Sequence, residues 1–318
     1  MKILVHSPSD AIAGGCESIH QLCDALSENF ETYITYYHNS NSEIPKKFQI
    51  YNLTKSDYFD DFDTIHIFPE TSVKYFYNKI EKGIKVIFWL SVDNYLGLKD
   101  YNLLFKVIRF FKTLKNNRIS LNKLNNCHHL SQSEYSNLFL KKNKIIHYFI
   151  GDYINDNYIN LNVDHVYKEN IIVYNPRKGF NFTKKIINKS KFKFIPIKNM
   201  NNTEVIELMK KSKIYIDFGK FPGRDRIPRE AVMLDNVIII GKRGSGYNDV
   251  DFPINKNFKI SVNKRAFVEN VIEIIEYALN NYSSLITEFK TFKDQLINEK
   301  KYFKIRVKNS LKDLITKI

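Results

Sequence analysis

The sequence predicts an α/β protein of two domains, each built on a largely parallel sheet. Short apolar runs of strand length alternate with segments whose apolar residues recur at helical spacing, the rhythm of repeated strand–helix units. At 318 residues the chain exceeds the size at which one core keeps growing, so two domains of about 150 residues are expected. A polar stretch at 151–169, rich in Asn and Asp, interrupts the rhythm, which then restarts. The domains are placed accordingly at 1–155 and 165–285, with a helical segment, 286–318, expected to pack back on the first.

The first strand is read at Ile3 to Val5, followed by Gly14-Gly15 and a helix from about Cys16 to Asn29 whose buried face is Ile19, Leu22, Cys23 and Leu26. Strand, glycine pair and helix start together offer backbone N–H groups to an anion, although a plain turn has the same sequence. Further strands are expected at 32–37, 48–53, 64–68 and 85–90, with a helix at 73–82. Asp93 then falls at a strand's carboxyl end, where it serves either as a general base or as a turn or helix cap. The stretch 128–134 reads as a short strand ending in a helix start capped by Ser131 or Ser133, and 144–150 reads as one more strand. Adjacent His128 and His129 point to opposite faces of such a strand, which argues against a metal site.

Composition narrows the partners. A formal charge of +15 favours phosphate-bearing ligands, whether nucleotide, nucleic acid or membrane surface. Between 99 and 123 there are seven basic residues and one acid, and Lys106, Arg109, Lys112 and Lys115 recur every third position. That stripe suits an anionic membrane interface or the solvated face of a covering helix. Three scattered cysteines form neither a disulfide framework nor a zinc cluster, so a reducing, cytoplasmic compartment is expected. The N-terminus reads as a strand rather than a signal peptide, and no apolar run approaches 18 residues.

The second half carries the stronger chemical signals. After the strand at 170–174, Arg177-Lys178-Gly179 opens a stretch to Lys198 with eight basic residues and no acid, suited to a group bearing two or more negative charges. A strand at 193–197 and a helix at 203–211, capped by Asn202, follow. Between the strands 213–218 and 236–240 lies Phe221-Pro222-Gly223-Arg224-Asp225-Arg226-Ile227-Pro228-Arg229-Glu230-Ala231, in which three arginines and two acids gather around two prolines. Ligands of open α/β sheets bind at such carboxyl ends. Gly244-Ser245 marks a further glycine-rich turn at the next one, and helices at 266–279 and 284–318 close the chain.

Gly14-Gly15-Cys16-Glu17, Arg177-Lys178-Gly179 and Pro228-Arg229-Glu230-Ala231 resemble the GT-B nucleotide-sugar-dependent glycosyltransferases, and the stretch 129–152 resembles bacterial proteins placed with glycosyltransferases that build surface polysaccharides. The resemblance implies two Rossmann-like domains with a cleft between them. It implies a sugar transferred from a nucleotide-diphosphate sugar to a glycan or lipid-linked acceptor of capsule, O-antigen or lipooligosaccharide. Arginine, lysine and helix N-terminal N–H groups would stabilise the leaving phosphate, so no cofactor or metal is expected. The chain carries no recognisable nucleic-acid module, so no nucleic-acid partner is expected. Arg177 and Lys178 would bind the diphosphate with Arg224, Arg226, Gly14, Gly15, Gly244 and Ser245, and Glu230 the ribose. Pro222 stands where retaining members carry a first glutamate, a role that Asp225 would take over in part, and Asp93 would be the base of an inverting reaction. The alternatives are a nucleotide-sugar epimerase of the same fold, or a non-catalytic binder of nucleic acid or anionic membrane.

Overall fold

The apolar runs become strands, the central ones of each sheet buried on both faces. The computed structural model describes residues 1–9, 14–39, 42–97, 119–159 and 161–318. In it β1 (Lys2–Pro8), β2 (Thr32–Tyr37), β3 (Thr64–Pro69), β4 (Ile84–Trp89), β5 (His128–Ser131) and β6 (Tyr148–Phe149) form a sheet in the order β2-β1-β3-β4-β5-β6. Each neighbouring pair is parallel, so the chain must cross back between strands. Among the described residues α1 (Gly14–Ser27), α2 (Val73–Lys79), α3 (Val92–Leu96) and α4 (Glu134–Lys142) lie along these returns. Alternation divides the strands between two cores. From β4, Val86 and Phe88 join Ile3, Leu22 and Ile67, while Ile87 and Trp89 join Phe68, Phe76 and Leu140.

The first compact unit comprises Met1–Tyr153, Pro222–Arg224 and Lys300–Ile318. Phe303, Val307, Leu311 and Leu314 of the final helix belong to the same core as Ile3 and Leu22.

The second unit comprises Ile154–Phe221 and Asp225–Glu299. Its sheet contains β7 (Glu169–Tyr174), β8 (Lys193–Pro196), β9 (Ser212–Asp217), β10 (Val237–Gly241) and β11 (Lys259–Ile260), parallel throughout, in the order β11-β10-β9-β7-β8. The helices are α5 (Phe180–Lys189), α6 (Asn202–Lys211), α7 (Arg226–Met233), α8 (Phe267–Asn280) and α9 (Tyr282–Thr316), the last running on into the first unit's residues. At the amino edge of this sheet the buried Lys168 Nζ donates to the carbonyls of Met209, Ser212 and Leu234 (3.0, 2.8 and 2.5 Å). It thereby satisfies carbonyls that the ends of α6 and α7 leave open.

Both sheets reverse direction after their second strand, so each has a topological switch point: between β1 and β3, and between β7 and β9. Ligands of open parallel sheets bind at the carboxyl ends of the strands there.

Three local expectations are corrected. The strand expected at 48–53 is a short 3-10 turn, Lys46–Phe48, because Phe48 plugs inward and stacks on His20 at 3.9 Å while Ile50 stays exposed. The strand at 144–150 shrinks to Tyr148–Phe149, since Lys144 takes the left-handed conformation that ends α4 (φ 57). The cap of α6 is Asn201, whose side chain accepts from Glu204 N while Glu204 accepts from Asn201 N. Lys106, Arg109, Lys112 and Lys115 lie outside the described residues. No helix among the described residues is long and apolar enough to cross a membrane.

Candidate functional site

The second unit's switch point is shaped by two loops pressed together. After β7, Asn175 Oδ1 accepts from Arg177 N (3.0 Å), which turns the chain toward Gly179 at the start of α5. Gly179 has φ +63, and a Cβ there would stand 2.4 Å from Gly219 N and from the Phe218 carbonyl carbon. No other residue fits this approach. Across it, a Cβ on Gly219 would meet both the Lys178 Cβ and Asp217 Oδ1 within 3 Å. The strand ends β7 and β9 thus bring a lysine and a carboxyl together.

Lys178 forms an ion pair with Asp225, the residue that opens α7. Asp217 ends β9 and is buried; Oδ1 accepts from Gly219 N (2.8 Å) and Oδ2 from Tyr215 OH (3.1 Å). Burial pushes the Asp217 carboxyl up to about 7, with the neighbouring Asp225 adding to the rise and Lys178 opposing it. Burial also raises Asp225, against the pull of Lys178 and Arg229. Arg177 is exposed beside this group. One cation held between the buried Asp217 and the half-buried Asp225 can exchange a carboxylate for a phosphate.

The next helix holds the remaining charges in place. Arg226 is buried in the first turn of α7 and Glu230 is half-buried one turn on. Arg229 is fully buried, its Nε donating to the Asp225 carbonyl (3.2 Å) and its Nη1 paired with Glu299 (3.3 Å). At the end of β10, Gly244 has φ +59, and a Cβ there would lie 1.9 Å from Phe221 O. Ser245 N already donates to that carbonyl at 2.9 Å, so the turn supports the Phe221 loop.

Other predicted residues fall in the first unit. Arg224 Nη1 lies 3.8 Å from Asp152, whose other oxygen accepts from Gln132 Nε2 (2.9 Å). Gly223 approaches so closely that a Cβ would stand 1.8 Å from Leu90 O. The Arg-Asp-Arg motif is therefore divided, with Arg224 grouped in one unit and Asp225 and Arg226 in the other. Gly14 and Gly15 form the first turn of α1, and Gly15 has room for a Cβ, at 3.6 Å from Leu90 Cδ1. Asp93 is buried in α3 and accepts from Tyr135 OH (3.0 Å), while Ser91 is the cap. Among the described residues no group of three His, Cys, Asp or Glu is placed to hold a metal ion.

Asp217 and Tyr215 emerge as site residues only from the structure, and so does the buried role of Arg229, which the sequence marks only as part of the charged motif. The place of Asp217, the first acid after an apolar strand, was its one sequence signal.

No protein-family model matches the chain, and no curated protein matches its sequence. Solved structures do. Sucrose-phosphate synthase from Thermosynechococcus elongatus superposes with a TM-score of 0.69 at 10% identity, covering 100% of both chains. A glycosyltransferase from Rickettsia africae gives 0.60 at 14% identity, over 98% of this chain and 97% of that one. The Anabaena protein HepE in complex with UDP-glucose gives 0.61 at 10% identity over 100% of both. The fold is of the GT-B type. At these identities the likeness is one of fold, and it agrees with the two Rossmann-like units expected from the sequence.

Proposed function

We propose that the chain is a glycosyltransferase that moves a sugar from a nucleotide-diphosphate sugar to a glycan or lipid-linked acceptor in bacterial surface polysaccharide synthesis. The observation that carries this reading is the Lys178–Asp225 pair above Asp217 at the switch point of the second sheet. Similar folds support it, among them one holding UDP-glucose. Departure of a nucleoside diphosphate builds negative charge on its phosphates. Lys178, Arg177 and the N-terminus of α5 would lower the energy of that charge, since their positive ends are already oriented. Phosphate would displace Asp225 from Lys178, and Glu230 on α7 would take the ribose hydroxyls. Asp93, aligned by Tyr135, would be the base toward the acceptor. No step in this scheme calls on a metal.

The test is a thermal-shift panel of UDP, GDP, CMP, ADP and TDP sugars. A ligand at a hundred times its dissociation constant stabilises by about 2.7 kcal/mol. At least one diphosphate nucleotide should shift the midpoint, and Arg177→Ala and Glu230→Ala should diminish the shift. A chain that ignores every nucleotide sugar while binding nucleic acid with steep salt dependence would overturn the proposal.

A further inference from the structure

The first unit has its own pocket, at the carboxyl ends of β1, β2 and β3, where that sheet's switch point lies. It has a volume of about 890 Å³, of the size that takes a sugar or a short glycan. Pro8 ends β1, Tyr37 ends β2, and Ser72 and Lys74 stand just after β3.

Its walls combine two chemistries. Tyr37 and Tyr75 lie nearly parallel, with ring centroids 6.1 Å apart at 28°, and both press on the buried Phe76. Flat aromatic faces of this kind receive the apolar face of a pyranose ring. Around them stand Lys74, Lys79 and His38, and no carboxylate is found among the described residues that line the pocket. Lys79 is held in position, with Nζ 3.1 Å from Tyr75 OH and 4.1 Å from the Tyr58 ring centroid. Glu70, next to the lining in sequence, is buried with Oε2 accepting from Leu90 N (2.8 Å), and burial pushes its carboxyl up to about 8. It therefore presents no full charge at neutral pH to offset the lysines. His38 also holds a left-handed backbone (φ 78), a strain of the sort that marks ligand sites.

We propose that this pocket binds an anionic sugar, the sugar ring lying against Tyr37 and Tyr75 and its carboxylate or phosphate paired with Lys74 and Lys79. The inference rests on the glycosyltransferase reading and gives its acceptor a chemical class, a glycan or glycolipid bearing an acidic sugar. Asn78 in the lining supplies hydrogen bonds for neutral hydroxyls, whereas the Ser72 hydroxyl already donates to the Pro69 carbonyl (2.9 Å).

Calorimetric titration of the full chain with methyl glucuronide, glucose 6-phosphate and methyl glucoside tests it. At least one of the two anions should bind about tenfold or more tighter than the neutral sugar, the margin of a charge-assisted contact. Preference for the glucuronide assigns a carboxylate, and preference for the phosphate assigns a phosphoryl group. Replacing both lysines (Lys74→Ala with Lys79→Ala) should erase that margin, whereas Tyr75→Ala should weaken all three sugars. Equal binding of charged and neutral sugars, or a margin that survives loss of both lysines, overturns the inference. A thermal shift with nucleotide sugars on the same samples separates the two readings. Nucleotide binding without an anionic preference leaves the transferase standing and removes the pocket's assignment. Silence toward every nucleotide sugar refutes the transferase itself.

Discussion

The two switch points are built on the same strand order and differ in what surrounds them. Between β7 and β9 the loops are clamped by Gly179 and Gly219, and Lys178 is already neutralised by Asp225 above the buried Asp217. Around β1 and β3 the walls are aromatic, and no carboxylate among the described residues answers Lys74 and Lys79. Topology therefore decides where a ligand can sit, and the side chains decide which one. A cation preloaded with a carboxylate suits exchange for a tightly held diphosphate. Unanswered lysines beside tyrosines suit a sugar whose charge is modest and whose ring does much of the binding.

That contrast can be broken at several strengths. Gly179→Ala should have the largest effect, because the added Cβ overlaps backbone atoms at a positive φ. We expect a loss of about 4 kcal/mol in denaturant unfolding, together with loss of nucleotide binding. Lys178→Ala should keep the fold but weaken nucleotide affinity by about 2 kcal/mol, roughly thirtyfold in titration calorimetry, since two acids then face the phosphates without a cation. An unchanged affinity would move the diphosphate site elsewhere.

The pH dependence is next. The folded chain holds the Asp217 proton up to about pH 7, whereas the unfolded chain releases it near 4. The folded state binds more protons in that window, so stability falls as pH rises through it, and the penalty is complete above 7. Asp217→Asn should remove about 2 kcal/mol of the decline between pH 5.5 and 7. Glu70, raised to about 8, contributes in the same direction in both proteins, so the difference between their profiles is the readout. Identical profiles would show that Asp217 ionises freely. The smallest effect is expected from Tyr135→Phe, which withdraws the hydroxyl that Asp93 accepts from at 3.0 Å. It should cost about 1 kcal/mol of stability and leave nucleotide affinity unchanged.

Much of this site was legible because it is local. Arg177-Lys178-Gly179 announced itself as a basic loop after an apolar run, and Gly179 does sit where only glycine fits. Gly14-Gly15 carried a similar signal, yet Gly15 has room for a side chain, so its sequence alone did not measure the need for glycine. Arg224 and Arg226, two residues apart, looked like one cluster. The structure groups Arg224 with Asp152, whereas Arg226 is the first residue of α7. A strand at 48–53 is expected from a short apolar run, but Phe48 turns inward onto His20 at the end of a 3-10 turn and no strand forms there.

The sequence by itself determined the strand–helix rhythm, the parallel sheets that follow from it, and the loops at which charge gathers. Periodicity and turn chemistry act over a few residues and can be read along the chain. Only the tertiary structure decided that Lys178 would meet Asp225, 47 positions away, over the buried Asp217. That meeting depends on β7 and β9 being neighbours while β8 turns to the far side. Strand order is set by packing between distant segments, and so are the charges and pKa shifts that give the site its chemistry.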